Sequence, residues 1–223
     1  AWATSLNPSF TVAIGLEAYD DEVLRFHINK GFSTRSWDKA VENLRKYNLR
    51  VKTYLMFKPP FMSEKDALDH GVRWIKDVAS RSDEISVNPM NIQRGTIIDR
   101  LHRHNEYRPP WLWSLVEMIK QAHPHIYPKG GVNGSPDQIC RLIIHPTAGG
   151  KIRGAHNCGS CDKFVVAAIE RYAVSGDLRE FEGLSCECHA IWQAELALES
   201  ALPVPLGISQ PRRGNRVENL RSL

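Results

Sequence analysis

The chain has 223 residues, of which 42% are hydrophobic and 24% are charged, with a net charge of +4. These proportions suit a globular protein with one good core, or one core and a small second lobe. No apolar run approaches the roughly 20 residues of a membrane-spanning helix, and no basic stretch followed by an apolar segment opens the chain. We therefore expect a cytoplasmic protein with no membrane contact.

The positive charge is concentrated at the C-terminal end. Residues 209–223 contain four arginines and one glutamate, so they supply three of the four net charges and leave the rest of the chain nearly neutral. We expect 209–223 to form a basic, disordered tail. So mild an excess of positive charge is compatible with a nucleic-acid partner but gives it only weak support.

Segments that predict strands alternate with segments that predict helices through the first 125 residues. We expect strands at 10–18, 49–60 and 84–93, and helices at 19–31, 36–48, 64–79, 96–104 and 107–123. Asp20 and Ser63 are the expected N-caps of two of these helices, and Gly31 is the expected end of the first. Strands that alternate with helices of this length are typical of βαβ units and a parallel α/β sheet.

A change of composition follows residue 123. Residues 124–138 are rich in Pro and Gly and predict a loop, and helical patterns resume at 164–173 and 186–202. We therefore place a domain boundary near residue 125, with a main domain at 1–125 and a small Cys-rich lobe at 126–208. Three parallel strands would leave the first one with an unpaired edge, so we expect further sequence upstream to pair with it.

Four of the five cysteines form two close pairs, Cys158 with Cys161 and Cys186 with Cys188. A C-x2-C turn brings two sulfurs onto one ion, and a second pair completes a tetrahedron, which suits Zn²⁺. An iron–sulfur cluster is one alternative, and disulfides, which a reducing compartment disfavours, are the other. His156 and His189 flank the pairs and could replace one thiol. The fifth cysteine, Cys140, is expected to be buried and inert.

Several stretches then occur in a distinctive order: IGLEAYDDEVLRFHINKGFSTRSWDKAVENL, VKTYLMFKPPFMSEKDALD, NIQRGT and YRPPWLWSLVE. Together with the cysteine pairs, they resemble the radical SAM enzymes of archaeosine biosynthesis, an archaeal family related to Elongator-type and methylthiotransferase-type radical SAM proteins. The resemblance runs from about residue 11 to residue 200. Its most specific motifs are YRPPWLW and KPPF.

The resemblance implies a fold, a reaction and a partner. The fold would be the C-terminal half of a partial (β/α)6 radical SAM barrel with a Cys-rich metal-binding lobe. The reaction would use S-adenosylmethionine (SAM) and a [4Fe–4S] cluster to cleave a C–N bond of a lysine-bearing deazaguanine in the D-loop of tRNA. The partner would be the archaeosine synthase that installs the lysine.

The sequence departs from this family at the cluster motif. Radical SAM enzymes of this kind hold their cluster through C-x3-C-x2-C, and extending the Cys158–Cys161 pair to that motif needs a cysteine where Gly154 stands. In the family the motif lies upstream of the IGLE strand. We therefore expect the chain to be the back part of a larger enzyme and to be inactive alone. The alternative is a zinc-stabilised adaptor that binds RNA or protein without catalysis.

Candidate ligand-binding residues follow the strands, where parallel α/β proteins place their sites. By resemblance, the residues that would contact SAM or substrate are Gly15, Glu17, Lys58, Pro59, Asn91, Gln93 and Arg94. Those that would contact RNA, by stacking or through phosphates, are Arg108, Trp111, Lys151 and Arg153. Ordinary alternatives remain open for each: surface charges, loop caps, a core tryptophan and an exposed basic loop.

Overall fold

The computed structural model describes residues 10–126 and 140–201. Four strands form one parallel sheet in the order β1-β2-β3-β4: β1 (Thr11–Glu17), β2 (Arg50–Phe57), β3 (Glu84–Pro89) and β4 (Arg141–Ile144). The α-helices are α1 (Thr34–Lys46), α2 (Glu64–Ala79), α3 (Ile97–Arg103), α4 (Leu112–Ile126), α5 (Asp162–Ser175) and α6 (Cys188–Ala201). The expected tail at 209–223 lies outside the described residues, as does most of the expected loop at 124–138.

Two elements differ from the sequence-based expectation. The segment expected to be helical at 19–31 contains a π-helix, Val23–Ile28, and it ends at Asn29, whose φ of 58° is left-handed. Asparagine tolerates that conformation, so the helix stops before Gly31 is reached. The fourth strand, β4, was not predicted, because four residues are too few to show a strand periodicity. It adds a parallel neighbour to β3 in a sheet expected to have three strands.

Alternate residues of the strands point to opposite faces of the sheet. The face that carries Val51, Leu55, Ile85, Val87 and Leu142 packs into the main hydrophobic core with side chains of α1, α2, α4 and α5. Close packing there needs Gly71 of α2, since a Cβ at that position would come within 3.0 Å of Met118 and 3.2 Å of Phe57. This helix-packed face supplies most of the hydrophobic stabilisation.

The opposite face, here called the open face, has a different composition. It carries Lys52, Tyr54, Met56, Glu84, Ser86, Asn88 and Ile143, none of which belongs to the main core. Strands in sequential order with their helices packed on one face are wound as in a barrel, whose other face lines the interior. The α/β fold with a parallel sheet is thus confirmed.

The first strand forms one edge of the sheet. Among the described residues β1 pairs with β2 alone, and Thr11 and Ala13 are exposed. The domain boundary near residue 125 stays a prediction, although β4 lies beyond it and is bonded to β3, and residues of α5 and α6 join the main core. Within the described ranges, no helix is both long and apolar enough to cross a membrane.

Candidate metal centre and the ligand-binding edge of the sheet

The four paired cysteines converge on one point. Their sulfur atoms all lie within 4.8 Å of one another. The Sγ–Sγ distance is 3.9 Å from Cys158 to Cys161, 3.6 Å from Cys158 to Cys186, and 3.6 Å from Cys161 to Cys188. A tetrahedron with metal–sulfur bonds of about 2.3 Å has edges of about 3.8 Å. These side chains therefore fit a single ion, as the sequence predicted for a metal site.

The first ligand pair lies on a turn at the start of α5. Gly159 adopts a φ of 91°, which a side chain would strain. The carboxylate of Asp162 accepts hydrogen bonds from the backbone N–H of Asn157 at 3.0 Å and of Gly159 at 3.1 Å. The backbone N–H groups of Cys161 and Ser160 lower the pKa of Cys158 to about 6. The turn thus favours the thiolate form of Cys158, whereas burial raises the pKa of Cys161.

Two side chains outside the ligand set donate hydrogen bonds to the sulfurs. The indole Nε1 of Trp113 lies 3.2 Å from the Sγ of Cys188, and the Nδ2 of Asn157 lies 3.3 Å from the Sγ of Cys161. Such donors spread the negative charge of a four-thiolate site and orient its ligands. The sequence did not reveal them. Asn157 beside the first cysteine was the available signal, but Trp113 is 75 residues from its partner.

The flanking histidines are not part of the sulfur cluster. The Nδ1 of His156 lies 2.8 Å from the carbonyl oxygen of Gly154, and the ring of His189 packs edge-on against Trp113 at 5.0 Å. Burial lowers the pKa of His156. Among the described residues, the group able to hold a metal consists of cysteines alone.

A radical SAM cluster does not fit the cysteines of this chain. A Cβ at Gly154 would lie 2.2 Å from the carbonyl oxygen of Ala148, so a cysteine cannot stand there to complete C-x3-C-x2-C without a rearrangement of the loop. The remaining cysteine, Cys140, is buried, and burial raises its pKa to about 12. In a cluster each thiolate binds a different iron, which holds the sulfurs further apart than a shared ion does.

The helix that begins at the last ligand fastens the metal centre to the sheet domain. On α6, Trp192 donates to the hydroxyl of Ser114 at 2.8 Å, and Glu195 accepts a hydrogen bond from the indole of Trp111 at 2.8 Å. Further along, the carboxylate of Glu199 accepts from the backbone N–H of Lys65 at 2.7 Å, at the first turn of α2. The lobe and the main domain are therefore joined by polar contacts as well as by apolar packing.

The predicted ligand-binding residues of β1 and β2 lie at the C-terminal edge of the sheet, as expected. Glu17 has a φ of 72° and forms an ion pair with Lys30 at 3.2 Å. A Cβ on Gly15 would approach that carboxylate to 3.0 Å. Lys58 instead forms a buried ion pair with Glu64 at 2.6 Å, with side-chain exposures of 6% and 0%.

Lys58 is further enclosed by Tyr107 and by the adjacent proline. Its carbonyl oxygen accepts a hydrogen bond from the hydroxyl of Tyr107 at 2.8 Å, and its ammonium lies 5.6 Å from the centre of that ring. Pro59 is also buried. The ammonium of Lys58 is therefore committed to a partner within the protein, and its predicted ligand role stays a prediction.

The predicted residues after β3 form an exposed loop. Asn91 is half-buried and accepts a hydrogen bond from the side chain of Gln93, whereas Gln93 and Arg94 are exposed. The loop leads into α3, whose N-cap, Thr96, accepts from the backbone N–H of Asp99 at 3.3 Å. These residues share the sheet edge with Glu17, and their ligand role stays a prediction.

The four residues predicted to bind RNA have different surroundings. Arg108 stacks on Trp111 at 3.8 Å and donates to the carbonyl of His156 at 3.0 Å, while Trp111 is only 7% exposed. Burial lowers the pKa of Arg108. Arg153 is half-buried, whereas Lys151 is fully on the surface. The RNA contacts stay predictions.

The open face contains polar residues that the sequence-based selection missed. The ion pair of Lys52 with Glu84 lies beside Tyr54, whose ring centre is 5.1 Å from the ammonium. Burial alone would lower the pKa of Lys52, but the carboxylate of Glu84 outweighs it and the pKa is raised. The hydroxyl of Ser86 is buried and has no hydrogen-bond partner in the described structure. The signal was the polar alternation in VKTYLMF and EISVNP.

Comparison with known proteins identifies relatives. No protein-family model matches the chain. Archaeosine synthase subunit beta of Methanosarcina acetivorans is 36% identical over 196 residues, covering 86% of this chain and 53% of that protein. The protein of the same name from Thermococcus kodakarensis is 37% identical over 185 residues, covering 82% of this chain and 54% of that protein. An uncharacterized protein of Methanocaldococcus jannaschii is 31% identical over 206 residues, covering 91% of this chain and 53% of that protein.

The fold of the chain is similar to that of a solved structure. Elp3 of Methanocaldococcus infernus, with residues 1–46 deleted, matches 79% of this chain and 37% of its own chain, with a TM-score of 0.54 and 18% identity. The chain spans about half the length of the curated relatives it matches. The resemblance noted in the sequence is confirmed, since most of the chain is similar to the proteins named archaeosine synthase subunit beta.

Proposed function

We propose that the chain takes part in the radical SAM step of archaeosine formation in tRNA, the C–N cleavage of a lysine-bearing deazaguanine. The observation that carries this proposal is the relationship to archaeosine synthase subunit beta over most of the chain. The Elp3-like fold supports the radical SAM part. The word "subunit" in the relatives' name supports a partner, which we take to be the lysine-transferring archaeosine synthase, with both proteins in the cytoplasm.

We propose that the four-cysteine site holds Zn²⁺ in a structural role. A closed set of four thiolates leaves no open position for chemistry. The ion would tie the turn before α5 to the start of α6, since each end supplies one ligand pair. Metal analysis of the purified protein should give one equivalent of zinc, and both Cys158→Ser and Cys188→Ser should lose it. Iron with a visible charge-transfer spectrum would overturn the assignment.

We propose that the open face and the adjoining sheet edge hold SAM and the reacting part of the substrate. Both are polar molecules, and the unpartnered hydroxyl of Ser86, the side chain of Asn88 and the carboxylate of Glu17 offer them hydrogen-bond groups. SAM supplies the radical chemistry of this enzyme class. The ligands of its reducing cluster have to come from polypeptide other than these 223 residues, so the chain is expected to be inactive alone.

The test is made in the source organism. Deleting the gene that encodes this chain should remove archaeosine from total tRNA and leave a lysine-bearing deazaguanine, both measured by mass spectrometry of nucleoside digests. Restoring the gene with Ser86→Ala should recover little archaeosine, because the open face loses a hydroxyl. Ser200→Ala, at an exposed position on α6, is the matched control and should recover it fully. Normal archaeosine in the deletion strain contradicts the proposal.

The second candidate is a zinc-stabilised adaptor that binds RNA or protein without catalysis. The observation that favours it is the absence of a C-x3-C-x2-C run from the 223 residues. It predicts that Ser86→Ala leaves archaeosine unchanged while loss of the zinc ligands abolishes it. Equilibrium dialysis of the assembly with labelled SAM separates the two, since SAM binding should be weakened by Ser86→Ala in the first candidate and unchanged in the second.

A further inference from the structure

The described structure places an excess of positive charge at one corner of the sheet edge. Residues 91–108 and 145–156 contain six Arg or Lys and two Asp or Glu, a surplus of four positive charges, which equals the net charge of the whole chain. The cations are Arg94, Arg100, Arg103, Arg108, Lys151 and Arg153, and the acids are Asp99 and Glu106. The rest of the chain sums to zero, because the three surplus positive charges of residues 209–223 are balanced by three surplus negative charges elsewhere.

The two segments are held together by one buried carboxylate. Asp99 is 3% exposed and accepts hydrogen bonds from Arg153 at 2.6 Å and from Arg103 at 2.8 Å. Arg153 also donates to the carbonyl of Ile92 at 3.1 Å, and its own carbonyl accepts from that residue's N–H at 2.7 Å. The hydrogen bond from Arg153 holds the pKa of Asp99 well below its usual range. The triad thus carries one net positive charge in a fixed position.

Three further cations lie on the same two segments. Arg94, Arg100 and Lys151 are exposed, and within the described residues none of their side-chain cations has a hydrogen bond or an ion pair. Arg100 and Arg103 line one surface groove with Gly95, Thr96, Asp99 and His104. We call Arg94, Arg100, Arg103, Lys151 and Arg153 the basic corner. Arginines fixed by a buried acid lose little entropy when they bind an anion, which favours a repeated anionic ligand.

The position of the basic corner indicates the kind of ligand. The loop before α3 follows the C-terminal end of β3, so the corner borders the sheet edge where α/β proteins bind their substrates. Ile152 is 72% exposed and Ile97 is 47% exposed beside the cations, which provides apolar surface next to the charges. An RNA offers regularly spaced phosphates together with apolar ribose and base faces.

We propose that the basic corner binds the sugar–phosphate backbone of RNA and so holds a nucleic-acid substrate against the sheet edge. This inference rests on the proposed function for the identity of the RNA, although not for the surface. It keeps Lys151 and Arg153 from the sequence-based expectation and adds Arg94, Arg100 and Arg103. Arg108 and Trp111 lie outside the basic corner, because Arg108 stacks on Trp111 and donates to the carbonyl of His156.

The experiment measures the binding of an unmodified tRNA transcript by fluorescence anisotropy over a series of salt concentrations. The variant replaces the three unpartnered cations: Arg94→Gln, Arg100→Gln and Lys151→Gln. Each phosphate contact contributes about 0.7 to 0.9 to the slope of log K against log salt, so the slope should fall by about 2. The affinity at 0.1 M salt should fall about 100-fold on the same basis.

A matched control makes the same change of charge elsewhere. Arg35, Lys39 and Lys76 are exposed on α1 and α2 and have no partner among the described residues, and their triple Gln variant should keep the parental slope. An equal loss of tRNA affinity in both variants overturns the proposal, because the binding would then depend on net charge alone. An unchanged slope in the first variant also overturns it. Weakened binding of polyglutamate with unchanged tRNA binding would indicate an acidic protein partner instead.

Failure of this inference and failure of the proposed function give different results. If the slope is unchanged while deletion of the gene removes archaeosine, the basic corner is not the RNA surface and the proposed function stands. If the slope falls as expected while archaeosine persists in the deletion strain, the surface stands and the proposed function fails. Zinc content measured in every variant shows that the fold is intact.

Discussion

The buried ion pair of Lys58 with Glu64 predicts a large and specific loss of stability when its cation is removed. In Lys58→Met the apolar stem remains, but the carboxylate of Glu64, which is 0% exposed, loses its counter-charge. Removal of one partner of a buried pair costs about 3 to 5 kcal/mol. A domain of ordinary stability has only about 5 to 15 kcal/mol in total, so the variant should lie close to unfolding.

The carboxylate of Glu64 has a second partner, and this partner allows a second substitution to restore stability. Its Oε1 accepts a hydrogen bond from the backbone N–H of Trp111 at 2.9 Å, and a glutamine oxygen can accept the same bond. The double variant Lys58→Met with Glu64→Gln therefore removes the uncompensated charge and keeps the acceptor. We expect it to recover more than half of the loss, since neutral replacements of buried pairs cost little.

The assay is urea unfolding of the zinc-loaded protein, followed by circular dichroism and tryptophan fluorescence. Lys65→Met is the control, because Lys65 pairs with Asp69 on the surface of α2 and such a pair contributes about 0.5 kcal/mol. A loss below about 1 kcal/mol in Lys58→Met, or a double variant no more stable than the single one, would refute the reasoning. In that case Lys58 would be available for a ligand.

Three further predictions concern the metal centre, a histidine and a loop. Trp113→Phe should weaken zinc binding about 10- to 100-fold in a chelator competition, because the donor to Cys188 is lost. Trp74→Phe should not, since the indole nitrogen of Trp74 has no hydrogen-bond partner among the described residues. Burial lowers the pKa of His27, so its contribution to stability is complete above its unfolded pKa of 6.5 and is lost as the pH falls below it. Urea midpoints at pH 7.5 and 5.5 should differ less in His27→Gln than in the parent. Gly154→Ala should cost about 1 to 3 kcal/mol in the same assay, since a Cβ there meets a backbone oxygen at 2.2 Å, and an unchanged midpoint would contradict that contact.

Local patterns in the sequence were sufficient for the order of the elements and for the metal ligands. The strands β1 to β3 and the helices α1, α2 and α4 begin and end within a few residues of their predicted limits, because periodicity, caps and prolines act over one or two turns. The four cysteines could be assigned for the same reason, since each pair lies within one turn of chain. The family resemblance further predicted that SAM and substrate bind at the C-terminal edge of the sheet.

The tertiary structure decided which polar side chains are exposed and which form contacts within the protein. The sequence predicts Lys58 and Arg108 as ligand-binding residues, and only the structure shows their contacts with Glu64 and with the carbonyl of His156. Trp113 becomes part of the metal centre through a residue 75 positions away. The fourth strand and the open face depend on which segments pack side by side. Contacts between distant segments leave no periodic trace in the sequence, so only the folded chain reveals them.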